Sequence, residues 1–378
     1  MSSKPERKRK PTLLILGSHP RARGGIAHLI AAQLRSPLAE RFHVCVVATH
    51  DTISLVGRIR LAIAAYLRLW AMLLTRRIDL AQVHYGDGAS LNRKIPFLLT
   101  LRLFRVPYVL SDHQDWATRE YPRRTALLRW LARSVFEHAR AILVLGPHWK
   151  TSYERLLRRA IPVLLVYEPC ERIAVSRRQK APPDAEMPDA QPPVRFLCIG
   201  RVGRRKGTRD LIEAAALLRE RFDDFSLVIA GDGELDAMRD LVRARGLERH
   251  VLLPGWLDEP ARNAALAGAD VFVLPTYREG MPLSIMQAMF AGLPILSTGV
   301  DGVPVIARDG VNALILRPGD PAGLADRMER LARDGALRAR MGRESLAIAE
   351  RELTIETTTS DLADLFENIL EGKPAAPA

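Results

Sequence analysis

Short apolar runs alternate with longer helix-patterned segments along nearly the whole chain, and the alternation breaks only once. Before the break the runs are TLLILGS, FHVCVVAT, LAQVHYG, PYVLSDH, AILVLG and PVLLVY. Each is short and apolar enough to be a parallel strand buried on both faces. Helical periodicity lies between them, near residues 58–76, 92–104, 123–139 and 148–159, and RARGGIAHLIAAQL enters a helix through Gly24-Gly25. The break is RRQKAPPDAEMPDAQPP, rich in Pro, Asp and Ala and without apolar period. The pattern then restarts with VRFLCIGR, FSLVIAGDG, HVLLPGW, ADVFVLPT and LPILST as strands, GTRDLIEAAALLRER and ELDAMRDLVRARGL as helices, and two or three helices at the end. Strands alternating with helices of 10–15 residues wind a parallel sheet with helices on both faces. The expected fold is α/β, two doubly wound Rossmann-like domains facing across a cleft, with ligands at the carboxyl ends of the strands. A length of 378 residues suits two such cores. The expected organisation is a basic tail over 1–10, a first domain over 11–175, a linker over 176–193 and a second domain over 194–350. Residues 351–378 form a C-terminal helix, able to pack back on the first domain, and a tail.

Charge divides the two halves. Residues 1–190 hold 32 Lys and Arg against 15 Asp and Glu, a balance of +17; residues 191–378 hold 24 against 28, a balance of −4. The first half is therefore expected to meet something acidic. Three cysteines, Cys45, Cys170 and Cys198, have neither metal-ligand spacing nor the number for a disulfide framework, which suggests a reduced, cytoplasmic chain. No run qualifies as a membrane span. Residues 280–300 are broken by Pro282, Gly292 and Pro294, and LVGRIRLAIAAYLRLWAMLL carries three arginines. The basic start MSSKPERKRK precedes an apolar run too short for a secretory signal.

Two loops carry the chemistry. In CIGRVGRRKGTRDL, Arg201 ends a strand and Lys206 follows five residues later, at the entrance of a helix. Helix N-termini already favour anions, so two cations there suit a diphosphate; the bland alternative is a solvated basic turn. The spacing is not G-x-G-x-x-G, which weakens any nicotinamide reading. In YREGMPLSIMQAM, Glu279 precedes a turn and Pro282 suits the first helical position. The N–H groups around Met281, Leu283 and Ser284 are then free to meet an anion. Gln287 is the only polar side chain between Ser284 and the helix end at Gly292, and a buried amide needs a partner unless it reaches solvent. His113, beside Asp112 and Asp115 at a strand end, is a candidate whose ordinary reading is structural. His84 and Asp87 stand at another strand end, and Glu168 and Cys170 in YEPCE mark a crossing between domains more readily than chemistry.

These motifs resemble the retaining GT-B glycosyltransferases of family 4, also described as glycosyl transferases group 1, over most of the chain. The landmarks are Gly24-Gly25, the G-R-x-x-x-x-K-G element of Gly200, Arg201, Lys206 and Gly207, and the E-x7-E region inside PTYREGMPLSIMQAMFAGLPILST. The resemblance implies catalytic roles for Arg201 and Lys206 on the donor diphosphate, Glu279 on hydroxyls of the donor sugar and His113 over that sugar. It implies donor-binding roles for Gly24, Gly25, Gly280, Met281, Pro282, Leu283, Ser284 and Gln287. Gln287 stands where the family usually has a second glutamate on the ribose; an amide grips more weakly than a carboxylate, by about 1 kcal/mol. No D-x-D element is present, so no metal and no other cofactor is expected beyond the nucleotide-diphosphate sugar as co-substrate.

The expected activity is sugar transfer, with retention, from a nucleotide-diphosphate sugar to a glycan or lipid-linked acceptor in surface polysaccharide or glycolipid biosynthesis. Basic, partly apolar helices in the first half suggest peripheral contact with an anionic membrane surface on its cytoplasmic side. Two alternatives fit less well. A related sugar-nucleotide epimerase has no need of a basic acceptor domain. A nucleic-acid-binding protein fits the charge, but aromatics are only 6% and no recognised nucleic-acid motif occurs.

Overall fold

The computed structural model describes residues 9–22, 25–50, 55–75, 77–86, 88, 90–173 and 193–375. Two compact units emerge, Met1–Pro169 together with Ile355–Ala378, and Cys170–Thr354. Most of the tail over 1–10 and nearly all of the linker over 176–193 lie outside the described residues, as do Gly24 and Asp87.

In the first unit the chain runs β1 (Thr12–Ser18), α1 (Gly25–Gln33), α2 (Pro37–Arg41), β2 (His43–His50), α3 (Leu55–Leu74), β3 (Leu80–Tyr85) and α4 (Ser90–Leu103). It continues with β4 (Tyr108–Asp112), α5 (Trp116–Arg119), α6 (Ala126–Phe136), β5 (Ala141–Val144), α7 (Pro147–Leu156) and β6 (Val163–Leu165). The strands pair in parallel in the order β2-β1-β3-β4-β5-β6. Leu13–Leu16 of β1 are wholly buried, as on an interior strand covered on both faces, which is why its sequence is a continuous apolar run without alternation. Helix starts are fixed by side-chain caps, with Ser36 accepting from the Leu38 N–H and Thr125 from the Leu128 N–H.

The second unit holds β7 (Val194–Ile199), α8 (Thr208–Arg219), β8 (Phe225–Ala230), α9 (Leu235–Ala244), β9 (Val251–Gly255), α10 (Glu259–Gly268) and β10 (Val271–Leu274). After these come α11 (Leu283–Phe290), β11 (Ile295–Thr298), α12 (Val303–Ile306), β12 (Ala313–Leu316), α13 (Pro321–Arg333) and α14 (Gly335–Glu352). Its parallel sheet has the order β12-β11-β10-β7-β8-β9. The winding reverses between β7 and β10, which leaves a crevice at their carboxyl ends, the usual ligand position in an open α/β sheet.

The last helix, α15 (Ile355–Leu370), belongs to the first unit. Ala363, Leu365, Phe366 and Ile369 enter the core that holds Leu13, Ile15, Phe42, Leu80 and Val109. Phe366 meets the Phe42 ring edge-on, 6.2 Å between centroids. Arg41 spans Asp364 and Glu367, at 2.6 Å and 2.9 Å. Both unit boundaries differ slightly from the sequence-based 175 and 350. The Cys170 N–H donates to the Leu353 carbonyl at 2.9 Å, so the outgoing and returning segments pair and the boundaries fall together at that pair.

Candidate active site

The crevice between β7 and β10 gathers the two loops singled out in the sequence. β7 runs into a tight 3-10 turn at Arg204–Lys206, and Gly207 then caps α8 with φ +69. Only glycine fits there: a Cβ on Gly207 would stand 1.9 Å from the Pro275 carbonyl oxygen, which belongs to the loop after β10. The two loops are tied directly as well. The Tyr277 N–H donates to the Arg205 carbonyl at 2.8 Å, and the Tyr277 hydroxyl donates to Asp210 at 2.7 Å.

This close approach brings Lys206 and Glu279 into an ion pair, with side chains only 11% and 8% exposed. Arg205 Nη1 stands 4.0 Å from the same Glu279 oxygen. The Thr276 hydroxyl is 3.2 Å from it, and the Glu279 N–H donates to Asp301 at 2.9 Å. The carboxylate is thus held from side chain and backbone alike. Arg201 behaves differently: it is exposed and has no ion-pair partner among the described residues. Beneath the loop, burial pushes the Cys198 thiol up to about 12, so it stays protonated and inert.

Glu279 leads into Gly280, Met281 and Pro282, and α11 begins at Leu283. Pro282 lies one position earlier than the sequence suggests. It is the N-cap, with extended backbone (φ −71, ψ 112), and its carbonyl accepts from the Ile285 and Met286 N–H groups. The amides of Leu283 and Ser284 open the helix, where the first N–H groups have no partner within it. Gln287 lies in the second turn of α11, buried, and no side-chain partner meets its amide among the described residues.

The first unit carries its own polar line at the carboxyl ends of β3 and β4. His113 sits between two partners, its Nδ1 2.8 Å from Glu168 Oε1 and its Nε2 3.0 Å from His84 Nδ1. The two imidazoles stack, 5.2 Å between centroids. Burial, with His113 and Lys94 nearby, pushes the His84 pKa well below the ordinary histidine range, so His84 is neutral at pH 7. On the opposite side of β4, Asp112 accepts from the Gln114 and Trp116 N–H groups and from the Tyr153 hydroxyl, which also meets Tyr85 at 2.7 Å. Burial raises the Asp112 carboxyl to about 6. Gly25, the first residue of α1, is exposed with open space around it.

The structure thus gathers Lys206, Glu279, Gly280, Met281, Pro282, Leu283 and Ser284 in one place on the second unit. Sequence reading missed Asp301, Thr276 and Asp210 there, because each acts through a loop contact that spacing does not reveal. It also set Glu168 aside from chemistry, whereas the carboxylate bonds His113 from 55 positions away.

Comparison with known proteins gives the family of the chain. A family model described as "Glycosyl transferases group 1" matches residues 193–334, a span that contains both loops. The 2-deoxystreptamine glucosyltransferase of Streptomyces kanamyceticus is 30% identical over 290 residues, covering 71% of this chain and 73% of the relative. The chain belongs to the group 1 glycosyltransferases. This glycosyltransferase is also similar to the phosphatidyl-myo-inositol mannosyltransferase of Mycobacterium leprae, 29% identical over 296 residues, 75% of this chain and 72% of the relative. Among solved structures, Alr3699/HepE of Anabaena, in complex with UDP and glucose, superposes with a TM-score of 0.71 at 16% identity, over 95% of this chain and all of that one. The glycosyltransferase therefore has the GT-B fold, a pair of Rossmann-like units.

Proposed function

We propose that this glycosyltransferase moves a sugar, with retention of anomeric configuration, from a nucleotide-diphosphate sugar to a glycan or lipid-linked acceptor. The observation that carries the donor assignment is the buried Lys206–Glu279 pair at the β7/β10 switch point, beside the exposed Arg201 and the open N-terminus of α11. In this reading Arg201 and Lys206 neutralise the leaving diphosphate as its charge grows, and the amides of Leu283 and Ser284 add preorganised donors. Glu279 accepts from hydroxyls of the donor sugar, with Gly280, Met281 and Pro282 shaping the turn that holds it. Gln287 receives the ribose. The reading also gives the Gly24-Gly25 backbone an approach to the phosphates and His113 a place over the sugar. This reading needs no divalent ion beside Arg201 and Lys206, so the rate should be indifferent to EDTA. Retention is tested on the slow hydrolysis of an α-linked donor, by NMR of the first sugar released. An α-anomer supports the reading, and a β-anomer replaces it with inversion.

The acceptor side follows from the first unit. Seven of the twelve large apolar side chains exposed among the described residues lie on three helices: Ile63, Leu67 and Leu74 on α3, Leu99 and Leu103 on α4, Leu127 and Trp130 on α6. These helices adjoin, through Tyr66 against Phe97 and through Arg102 donating to Ser134. Their sequences hold eight Arg and Lys and no Asp or Glu. Exposed apolar groups among cations suit an anionic lipid surface, whereas a nucleic acid needs only the charge. We place the enzyme peripherally on the cytoplasmic membrane face; among the described residues no helix is long and apolar enough to cross it. The names of relatives that act on phosphatidyl-myo-inositol or build amylovoran agree with a glycan or lipid acceptor. Pelleting with anionic and neutral vesicles tests this, and equal, negligible binding to both removes the membrane from the account.

A further inference from the structure

The inner face of the first sheet is not uniformly apolar. Gln82 and His84 alternate on β3, and Ser111 near the end of β4 is followed by His113 just past it, so four polar side chains line one side of two adjacent strands. They line a partly open cavity of about 140 Å³, to which α1 and α15 also contribute walls. For comparison, an interior cavity of roughly 150 Å³ is enough for a six-membered ring such as benzene.

Hydrogen bonding accounts for most of this polar lining and leaves two atoms over. One chain runs Gln33 to Gln82 at 3.4 Å and Gln82 to Ser111 at 3.0 Å; the other is Glu168–His113–His84. The carboxylate of Glu168 can only accept, so His113 donates from Nδ1; as a neutral imidazole it accepts at Nε2 from the His84 Nδ1–H. His84 Nε2 is then a bare acceptor. It is buried without a protein partner, and so is Gln33 Oε1. Both residues are 1% exposed and both line the cavity. Reversing the amide chain would leave a Gln33 N–H unmatched in place of the oxygen, and a hydroxyl can serve either. Leaving two such atoms dry is costly, which points to an occupant with polar groups at two points. Gln33 is anchored to Gln82, which lies two positions from His84 on the same strand, so the two unmet atoms belong to neighbouring parts of one lining.

We propose that this cavity is a binding site for a neutral, hydroxylated six-membered ring, a cyclitol or pyranose, gripped through His84 Nε2 and Gln33. The site deepens the proposed function by giving the acceptor a ring-shaped polyol portion, and it rests on that reading only for its purpose; the binding stands on the cavity. An anion does not fit, because Glu168 and Asp361 also line it. Apolar walls from Leu29, Leu143 and Leu165 suit the faces of such a ring.

The test uses the full chain labelled with 15N-histidine, titrated by NMR with myo-inositol and methyl α-glucoside, and with benzene as a smaller ring without polar groups. The proposal expects His84 to carry its proton on Nδ1 in the free protein. It expects a saturable change at Nε2 with at least one polyol, none with benzene, and at least tenfold weaker polyol binding in Gln33→Leu. No saturable change with either polyol, or saturation by benzene, overturns it; so does a protonated Nε2 that no polyol perturbs. If Gln33→Leu does not fold, the wild-type titration decides alone. Nucleotide-sugar binding measured on the same sample separates the two readings: polyol binding without nucleotide binding sinks the nucleotide-donor reading and spares the cavity, and the reverse sinks the cavity only.

Discussion

Breaking the Lys206–Glu279 pair should unsettle the second unit before any substrate is added. Each side chain is about one-tenth exposed, so solvent and salt screen the pair little. Removing one partner leaves the other charge buried and uncompensated, at a cost of about 3–5 kcal/mol. In a unit of this size 1 kcal/mol corresponds to roughly 2–4 °C in Tm, so Lys206→Met or Glu279→Leu should each lower Tm by about 6–20 °C. The double variant Lys206→Met/Glu279→Leu removes both charges and fills the space with apolar groups. Its loss should therefore be smaller than that of either single variant, because the cost lies in the orphaned charge. Circular dichroism on thermal and urea unfolding at pH 7 reads all four proteins. If each single change costs less than about 1 kcal/mol, or if the double loss equals the sum of the singles within about 0.5 kcal/mol, the two groups are independent and the argument for a preorganised pair fails.

Three further outcomes follow from the same geometry. The Asp112 carboxyl is raised in the fold from 3.8 to about 6 by burial, so its favourable contribution is complete below about pH 4 and is lost as pH rises to 6; the stability of wild type relative to Asp112→Asn should fall across that window, and a flat difference would contradict the shift. Gln287→Glu should tighten nucleotide-sugar binding about fivefold by calorimetry, the worth of about 1 kcal/mol at the ribose, while lowering Tm in the absence of donor because a buried carboxylate then lacks a partner. Gly207→Ala, with its Cβ driven against the Pro275 carbonyl and a backbone in the left-handed region, should cost about 1–3 kcal/mol from conformation alone and more from the clash, and should part the two loops enough to abolish donor binding.

How much of this could be read from the sequence depends on whether a feature is local. Eleven of the twelve strands announce themselves as apolar runs with flanking turns, and Arg201, Lys206 and Glu279 stand out because each follows such a run. β12 does not: its four residues, Ala313–Leu316, follow a turn without proline and are recognisable only by pairing with β11. The shift of Pro282 from first helical residue to N-cap is a matter of one ψ angle, which Pro fixes less firmly than φ. Glu168, His113 and His84 were out of reach as a chain, because their contact depends on β3 lying beside β4 and on where β6 ends. The same holds for Glu279 and Asp301, joined through a backbone N–H. Gln33 gave no signal at all; a glutamine at the end of an amphipathic helix ordinarily points to water, and only the cavity shows otherwise.

The central claim is that the β7/β10 crevice binds a nucleotide diphosphate through Arg201 and Lys206. Calorimetric titration of wild type and Arg201→Gln with UDP-, GDP-, ADP- and dTDP-sugars tests it most directly, since Arg201 is exposed and its replacement spares the fold. The account predicts binding by one nucleotide class and a loss of at least tenfold in the variant. Absence of binding by every nucleotide to the folded wild type, or equal binding by both proteins, would contradict it.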